Sequence, residues 1–145
     1  MMYSYQYPRP ALTVDCAIFC NYKGVKHILL IERAQAPFAN TWAFPGGFVD
    51  MDEDLDQAAY RELKEETGFE NCELKQFKTY GSVNRDPRGR TVSVVYTGEL
   101  HLNQLPQVVG MDDAKQAKWW PIDKLPNLAF DHDLIMSDLL EDVKM

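Results

Sequence analysis

The chain has 145 residues, 46% hydrophobic and 26% charged, with a formal net charge of −7. That length makes one domain, 1–145, the expectation, with enough chain to bury a core. The acidic balance disfavours a nucleic-acid binder that depends on phosphate attraction, and no apolar run approaches the roughly 20 residues that span a bilayer.

The first ten residues, MMYSYQYPRP, carry three Tyr and two Pro and no helical period. They read as an extended arm, packed on its own sheet or on a partner subunit. They lack a signal-peptide core, so a cytoplasmic location is the default expectation. Leu12 to Asn21 and Val25 to Arg33 are rich in β-formers and flank the turn Asn21-Tyr22-Lys23-Gly24, which predicts a hairpin. His27 in its second strand is expected to be an exposed strand residue. Cys16 and Cys20, about 13 Å apart on a strand, cannot bridge each other. With Cys72 they are read as reduced and structural.

A loop from Ala34 to Thr41 leads to Trp42-Ala43-Phe44-Pro45-Gly46-Gly47-Phe48, where two glycines serve both a sharp turn and a close backbone approach to a ligand. Asp52, Glu53 and Asp54 then crowd the start of a helix expected over about 54–67, where negative charge suits the helix dipole. Gly68 follows as its C′ glycine. Within it, Arg61-Glu62-Leu63-Lys64-Glu65-Glu66 places Glu65 and Glu66 on either side of Glu62 at 100° per residue. Ala59, Ala58 and Leu55 continue that face, so it points inward or toward a cleft. Three carboxylates there repel one another and lose solvation. A divalent cation relieves both, and Mg²⁺ takes a few carboxylates together with phosphate oxygens.

Beyond the helix, Cys72 to Val83 and Thr91 to Leu100 predict a second hairpin with a basic tip, Asn84-Arg85-Asp86-Pro87-Arg88-Gly89-Arg90. Arg85, Arg88 and Arg90 suit phosphate or carboxylate oxygens; substrate contact and a solvated loop are equally open. Leu105 to Gln116, with the pair Asp112-Asp113, reads as loop, and Ala117 to Pro121 as a short strand. A C-terminal helix runs from Phe130 to about Val143, with Leu134, Ile135, Leu139 and Val143 as its apolar stripe. His132 at its start is read as structural. Strands around one central helix with a second at the end predict an α/β layered sandwich with a mixed sheet.

From Gly47 to Phe69, the order of Gly47, Glu53, Arg61-Glu62-Leu63, Glu65-Glu66, Gly68 and Phe69 resembles the Nudix box, with every fixed position filled over 23 residues. The Trp42-to-Gly47 lead-in resembles the segment preceding that box. The resemblance implies the Nudix α/β/α sandwich and hydrolysis of a nucleoside diphosphate linked to another group. On matching positions, it implies Glu62, Glu65 and Glu66 as ligands of Mg²⁺ or Mn²⁺, the Gly47 carbonyl as a further ligand, Arg61 orienting the carboxylates and Glu53 as an outer carboxylate. The general base is open among Glu66, Asp112, Asp113 and Glu99. Asp86 to Tyr96, the WAFPGGFVD stretch and Leu128 to His132 resemble the ADP-ribose pyrophosphatase branch. That implies ADP-ribose hydrolysis to AMP and ribose 5-phosphate, with Arg33, Trp42, Arg85, Arg88 and Arg90 as substrate-binding residues and Phe38, Trp42 and Tyr96 available to stack on adenine. A homodimer is expected, since dimers are common in that branch; no nucleic acid and no membrane is expected as a partner. The alternatives are a nucleoside triphosphate or dinucleoside polyphosphate hydrolase, and a non-catalytic nucleotide-sensing module. A DNA-binding regulator is disfavoured, because 145 residues leave no room for a winged helix.

Overall fold

The structure, a computed structural model, describes residues 2–143. Seven strands form one mixed sheet: β1 (Ala11–Tyr22), β2 (Val25–Arg33), β3 (Trp42–Ala43), β4 (Gly46–Phe48), β5 (Lys75–Tyr80), β6 (Thr91–His101) and β7 (Ala114–Pro121). Helix α1 (Leu55–Thr67) packs on one face and α2 (His132–Val143) on the other. This is the expected α/β/α sandwich.

The alternation of β1 explains the layering. Val14, Cys16, Ile18 and Cys20 point to the side of α1, where they meet Ala58, Ala59 and Leu63. Ala17 and Phe19 point the other way, to Ile135, Met136 and Leu139 of α2. Burying a side chain such as Leu63 or Ile135 stabilises the fold by about 1.5–3 kcal/mol. All three cysteines are free and buried. Among the described residues no helix is long and apolar enough to cross a membrane.

The register of β1 and β2 creates the site. They pair antiparallel only at the hairpin end, from Phe19↔Ile28 to Tyr22↔Val25. Beyond it they fork, and residues 42–48 fill the fork. β3 pairs with β2 at Ile31↔Ala43 and Glu32↔Trp42, while β4 pairs with β1 from Thr13↔Phe48 to Asp15↔Gly46. The outer edge of β1 is held by β6 in parallel along eleven partners, from Ala11↔Thr91 to Asn21↔His101. The outer edge of β2 is held by β7. The double-glycine segment is thus ladder structure as well as turn.

Several expectations change. His27 is buried, 9% exposed, because β7 makes β2 an interior strand; its Nδ1 lies 2.9 Å from the Val25 carbonyl. β5 is shorter than Cys72 to Val83, since the Leu74 N–H donates to Tyr60 Oη (2.9 Å) and Cys72 and Leu74 turn into the α1 core. β7 starts at Ala114, inside the expected loop. On α2, Leu134 is 53% exposed and Met136 is buried in its place. Ile135, Met136 and Leu139 share one arc, and Leu134 falls about 200° from Met136. The side chain of Val143 lies outside the described residues. The N-terminal arm is exposed at Tyr3, Tyr5 and Tyr7, with Arg9 over the Tyr5 ring at 3.9 Å.

Candidate active site

At the fork lies a cavity of about 340 Å³, with the glutamates of α1 on one wall and the arginines of β2 and the β5–β6 loop on the other. α1 is fixed at both ends. The Asp54 N–H donates to Gln57 Oε1 (2.9 Å), and Gly68, at φ 73°, ends the helix with its N–H on Lys64 O.

On that wall Glu62 and Glu66, one turn apart, are buried at 9% and 7% exposure. Glu66 Oε1 accepts the Gly46 N–H at 2.8 Å. The Glu62 carboxylate sits so close to Gly47 that a Cβ there would stand 2.6 Å from it. Burial raises both carboxyls; Glu66 reaches about 8, with Glu62, Asp15 and Asp113 adding to the rise against the Gly46 hydrogen bond. Arg61 gathers the rim. Its Nε and Nη2 donate to Glu53 (2.8 and 2.7 Å), Nη1 to Glu62 (2.8 Å) and Glu65 (3.2 Å), and Nη2 to the Phe48 carbonyl (3.2 Å). That pairing lowers the Glu53 carboxyl and raises the Arg61 guanidinium.

The opposite wall is basic and aromatic. Arg85, with a side chain 4% exposed, donates to both oxygens of Asp131 (2.9 and 2.7 Å) and to Ser93 Oγ (2.8 Å). Arg88 pairs with Asp86 (3.1 and 2.8 Å) and lies over Phe48 and Phe130, at 4.9 and 5.0 Å. Arg33 donates to the Pro37 carbonyl (2.9 Å) and covers Phe130 at 4.9 Å. Its guanidinium is held below its usual range by burial and by Arg88. The floor is Thr13, Asp15, Ser93 and His132, where the strand face that farther along meets α2 turns polar. Thr13 and Ser93 hydrogen-bond to each other. His132 Nδ1 accepts the Phe44 N–H (3.2 Å), so Nε2 carries the proton. Burial, with Arg85 and Arg33 nearby, depresses His132 to about 3. Its 3.9 Å approach to Asp15 is therefore no ion pair.

Gly47, Arg61, Glu62, Glu66, Arg33, Arg85, Arg88 and Asp113 are thus brought around one cavity. Others lie elsewhere. Glu65 is exposed and tied to Arg61. Asp112 is exposed and outside the lining. Arg90 donates to the Gly81 carbonyl at 2.6 Å and is exposed. Trp42 packs edge-on against Trp120 with ring centroids 5.0 Å apart. Glu99 pairs with Lys26 at 2.8 Å, toward the far end of β6. Tyr96 is buried, its hydroxyl donating to Asp56 (2.6 Å), and Phe38 packs on Phe130 at 4.9 Å. Sequence reasoning missed Asp15, Asp86 and Asp131. Asp15 had a signal: an acid inside the β-forming run Leu12 to Asn21 is disfavoured unless it has a use.

The donor chemistry fits a hard divalent cation: oxygen ligands only, with the buried Glu66 bound by the Gly46 N–H and by no cationic side chain among the described residues. Among the described residues no three His, Cys, Asp or Glu side chains are gathered at metal-holding distance. Glu62 and Glu65 are turned instead to Arg61.

A family model described as NUDIX domain matches residues 9–143. Over 134 residues the chain is 40% identical to the ADP-ribose pyrophosphatase of Methanocaldococcus jannaschii, covering 92% of this chain and 75% of that protein. It is 38% identical over 130 residues to the ADPR responsive transcriptional repressor NtrR of Acinetobacter baylyi, covering 87% of this chain and 51% of the repressor. The NUDIX domain of Shewanella oneidensis NrtR complexed with ADP ribose superposes with a TM-score of 0.85 at 32% identity, over 94% of this chain and 90% of that one.

Proposed function

The chain belongs to the NUDIX domain family, and on that premise we propose that it hydrolyses a nucleoside diphosphate linked to a second group. ADP-ribose plus water, giving AMP and ribose 5-phosphate, is the reaction we assign. The observation that carries this is the pair of buried carboxylates, Glu62 and Glu66, set against Gly46 and Gly47 and facing Arg33 and Arg88 across one cavity. The 40% identity to an ADP-ribose pyrophosphatase supports the substrate.

In this reading Glu62, Glu65, Glu66 and the Gly47 carbonyl would hold Mg²⁺ or Mn²⁺, with Arg61 releasing Glu62 and Glu65 to it. A bound cation neutralises phosphate charge and acidifies water. Arg33 and Arg88 bind the phosphate oxygens, held in place by the Pro37 carbonyl, Asp86 and the Phe130 ring. Of the base candidates named from the sequence, Glu66 and Asp113 are at the cavity to take the proton from the attacking water. The Gly46 N–H aims Glu66. A cytoplasmic location and a homodimer, with the exposed tyrosines of the arm at its contact, belong to the same proposal.

The test is incubation with Mg²⁺ and, separately, ADP-ribose, NADH, diadenosine polyphosphates and dNTPs, with the products resolved. ADP-ribose should be cleaved with the highest kcat/KM. A dNTP well above it sinks the substrate assignment, and no turnover of any sinks the hydrolase. Identity to the repressor favours a second reading, a nucleotide-sensing module, which predicts tight ADP-ribose binding without turnover.

A further inference from the structure

The buried charged and hydrogen-bonding side chains around the cavity have partners among the described residues, with one exception. Arg85 is bound by Asp131, Arg88 by Asp86, Glu62 by Arg61, Glu66 by the Gly46 N–H, and His132 by the Phe44 N–H. Asp15 is 8% exposed and lines the cavity, yet it makes no side-chain hydrogen bond among the described residues. The neutral His132 stands with Nε2 3.9 Å away, beyond hydrogen-bond reach. The side chain cannot turn from the cavity: β4 pairs with β1 at Asp15↔Gly46 and β6 at Asp15↔Val95.

A buried carboxylate without a donor is costly, and a protein keeps one where a ligand supplies the donor. The donor here is not a phosphate, which carries no proton to spare and is repelled by a carboxylate. Asp15 stands on the floor beside the hydroxyls of Thr13 and Ser93, between the glutamate wall and Arg85. A neutral group rich in O–H donors matches that floor. We propose that Asp15 accepts hydrogen bonds from the hydroxyls of a ribose unit of the substrate, and so selects a ribose-bearing diphosphate over a deoxy one. This rests on the reading of the protein as a nucleoside diphosphate hydrolase.

The experiment compares wild type with Asp15→Asn, and with Asp15→Ser should the first variant not fold. Substrates are ADP-ribose and two analogues, one lacking hydroxyls on the adenosine ribose and one on the terminal ribose. Losing a hydrogen bond to a charged group costs about ten- to a hundredfold. The KM for ADP-ribose should therefore rise by at least about tenfold in the variant, with kcat within about threefold. For one of the two analogues, wild type and variant should have the same KM, and that analogue identifies the ribose. Removing an unpaired buried charge should also raise the melting temperature at mildly alkaline pH; a structural role would lower it. An unchanged KM for ADP-ribose with an active wild type overturns this inference alone. So does an equal loss on all three substrates, or a lowered melting temperature. A wild type inert to all three overturns the hydrolase reading and this inference with it.

Discussion

Adding one methyl group at Gly47 should disable the protein without destabilising it, whereas the same methyl at Gly46 should lower its stability. At Gly47 the new Cβ would stand 2.6 Å from Cδ and Oε1 of Glu62 and 2.8 Å from Oε2. Those atoms end a flexible side chain, so the carboxylate retreats by about 1 Å to restore van der Waals contact and little else moves. A displacement of that size at a reacting centre costs about a hundredfold, or about 2.7 kcal/mol of transition-state stabilisation. At Gly46 the Cβ would fall onto the Val14 carbonyl, with Asp15 Cα at 2.9 Å. That is β1 backbone, held by β6 on its other edge, and it cannot swing aside. Overpacking of this kind costs about 2–3 kcal/mol, roughly a 5–10 °C fall in melting temperature for a chain of this size. Thermal melts and kcat/KM for ADP-ribose at saturating Mg²⁺ read the two effects separately. Gly47→Ala should melt within about 2 °C of wild type and lose about a hundredfold in kcat/KM. Wild-type kcat/KM in Gly47→Ala, or a melting temperature as low as that of Gly46→Ala, would refute the reasoning.

Glu65→Gln should lose most activity while melting within about 1 °C of wild type, because the exposed Glu65–Arg61 pair is worth little to the fold; unchanged kcat would take Glu65 out of the metal site. Arg85→Lys should lower stability by about 3 kcal/mol, since Lys cannot reproduce the buried fork onto Asp131 and Ser93; a raised KM with an unchanged melt would instead make Arg85 a substrate ligand. His132 is neutral in the fold, at about 3, against about 6.5 when unfolded, so its contribution is full above pH 6.5 and is lost as pH falls. From pH 6.5 to 5 that loss is about 2 kcal/mol. Asp15, raised to about 7 by burial, acts in the opposite sense over the same range. Chemical denaturation of His132→Asn from pH 5 to 7 should therefore show stability falling more steeply with rising pH than in wild type, and parallel profiles would remove His132 from the account.

The parts of the site legible in sequence are those set by local rules. α1 was readable because Asp54 and Gly68 punctuate it and because Glu62 and Glu66 share an arc with Ala58 and Ala59. β1 and β2 were readable from their β-branched and apolar runs. The fork was not. Residues 42–48 carry the Pro and Gly that signal a turn, and their strand character comes from edges that β1 and β2 leave free. The arginine wall was readable only as a group. Arg85, Arg88 and Arg90 look alike in a polar loop, and what separates them is tertiary: Asp131, 46 residues away, claims Arg85, and Phe48 and Phe130 hold Arg88. Trp42 shows the converse, an aromatic beside the glycines whose ring is taken by Trp120. Asp15 was visible as an anomaly of its strand, and only the cavity gives it a role.

The loop between β2 and β3 closes on itself before it reaches the fork. The Arg33 N–H donates to the Thr41 carbonyl and the Asn40 N–H to the Arg33 carbonyl, both at 2.8 Å, and Ala34, Gln35 and Ala36 line the cavity from within that closed neck. Its ends are fastened at one point, so residues 34–36 can change without shifting the strands that hold the glycines or the glutamates, while Pro37 stays on Arg33 and Phe38 on Phe130. The molecule therefore keeps its hydrolytic wall and its rim on separate mechanical footings. Exchanging residues 34–36, which leaves the Pro37 carbonyl on Arg33 and Phe38 on Phe130, is the change that reshapes the rim while the glutamate wall stays as it is.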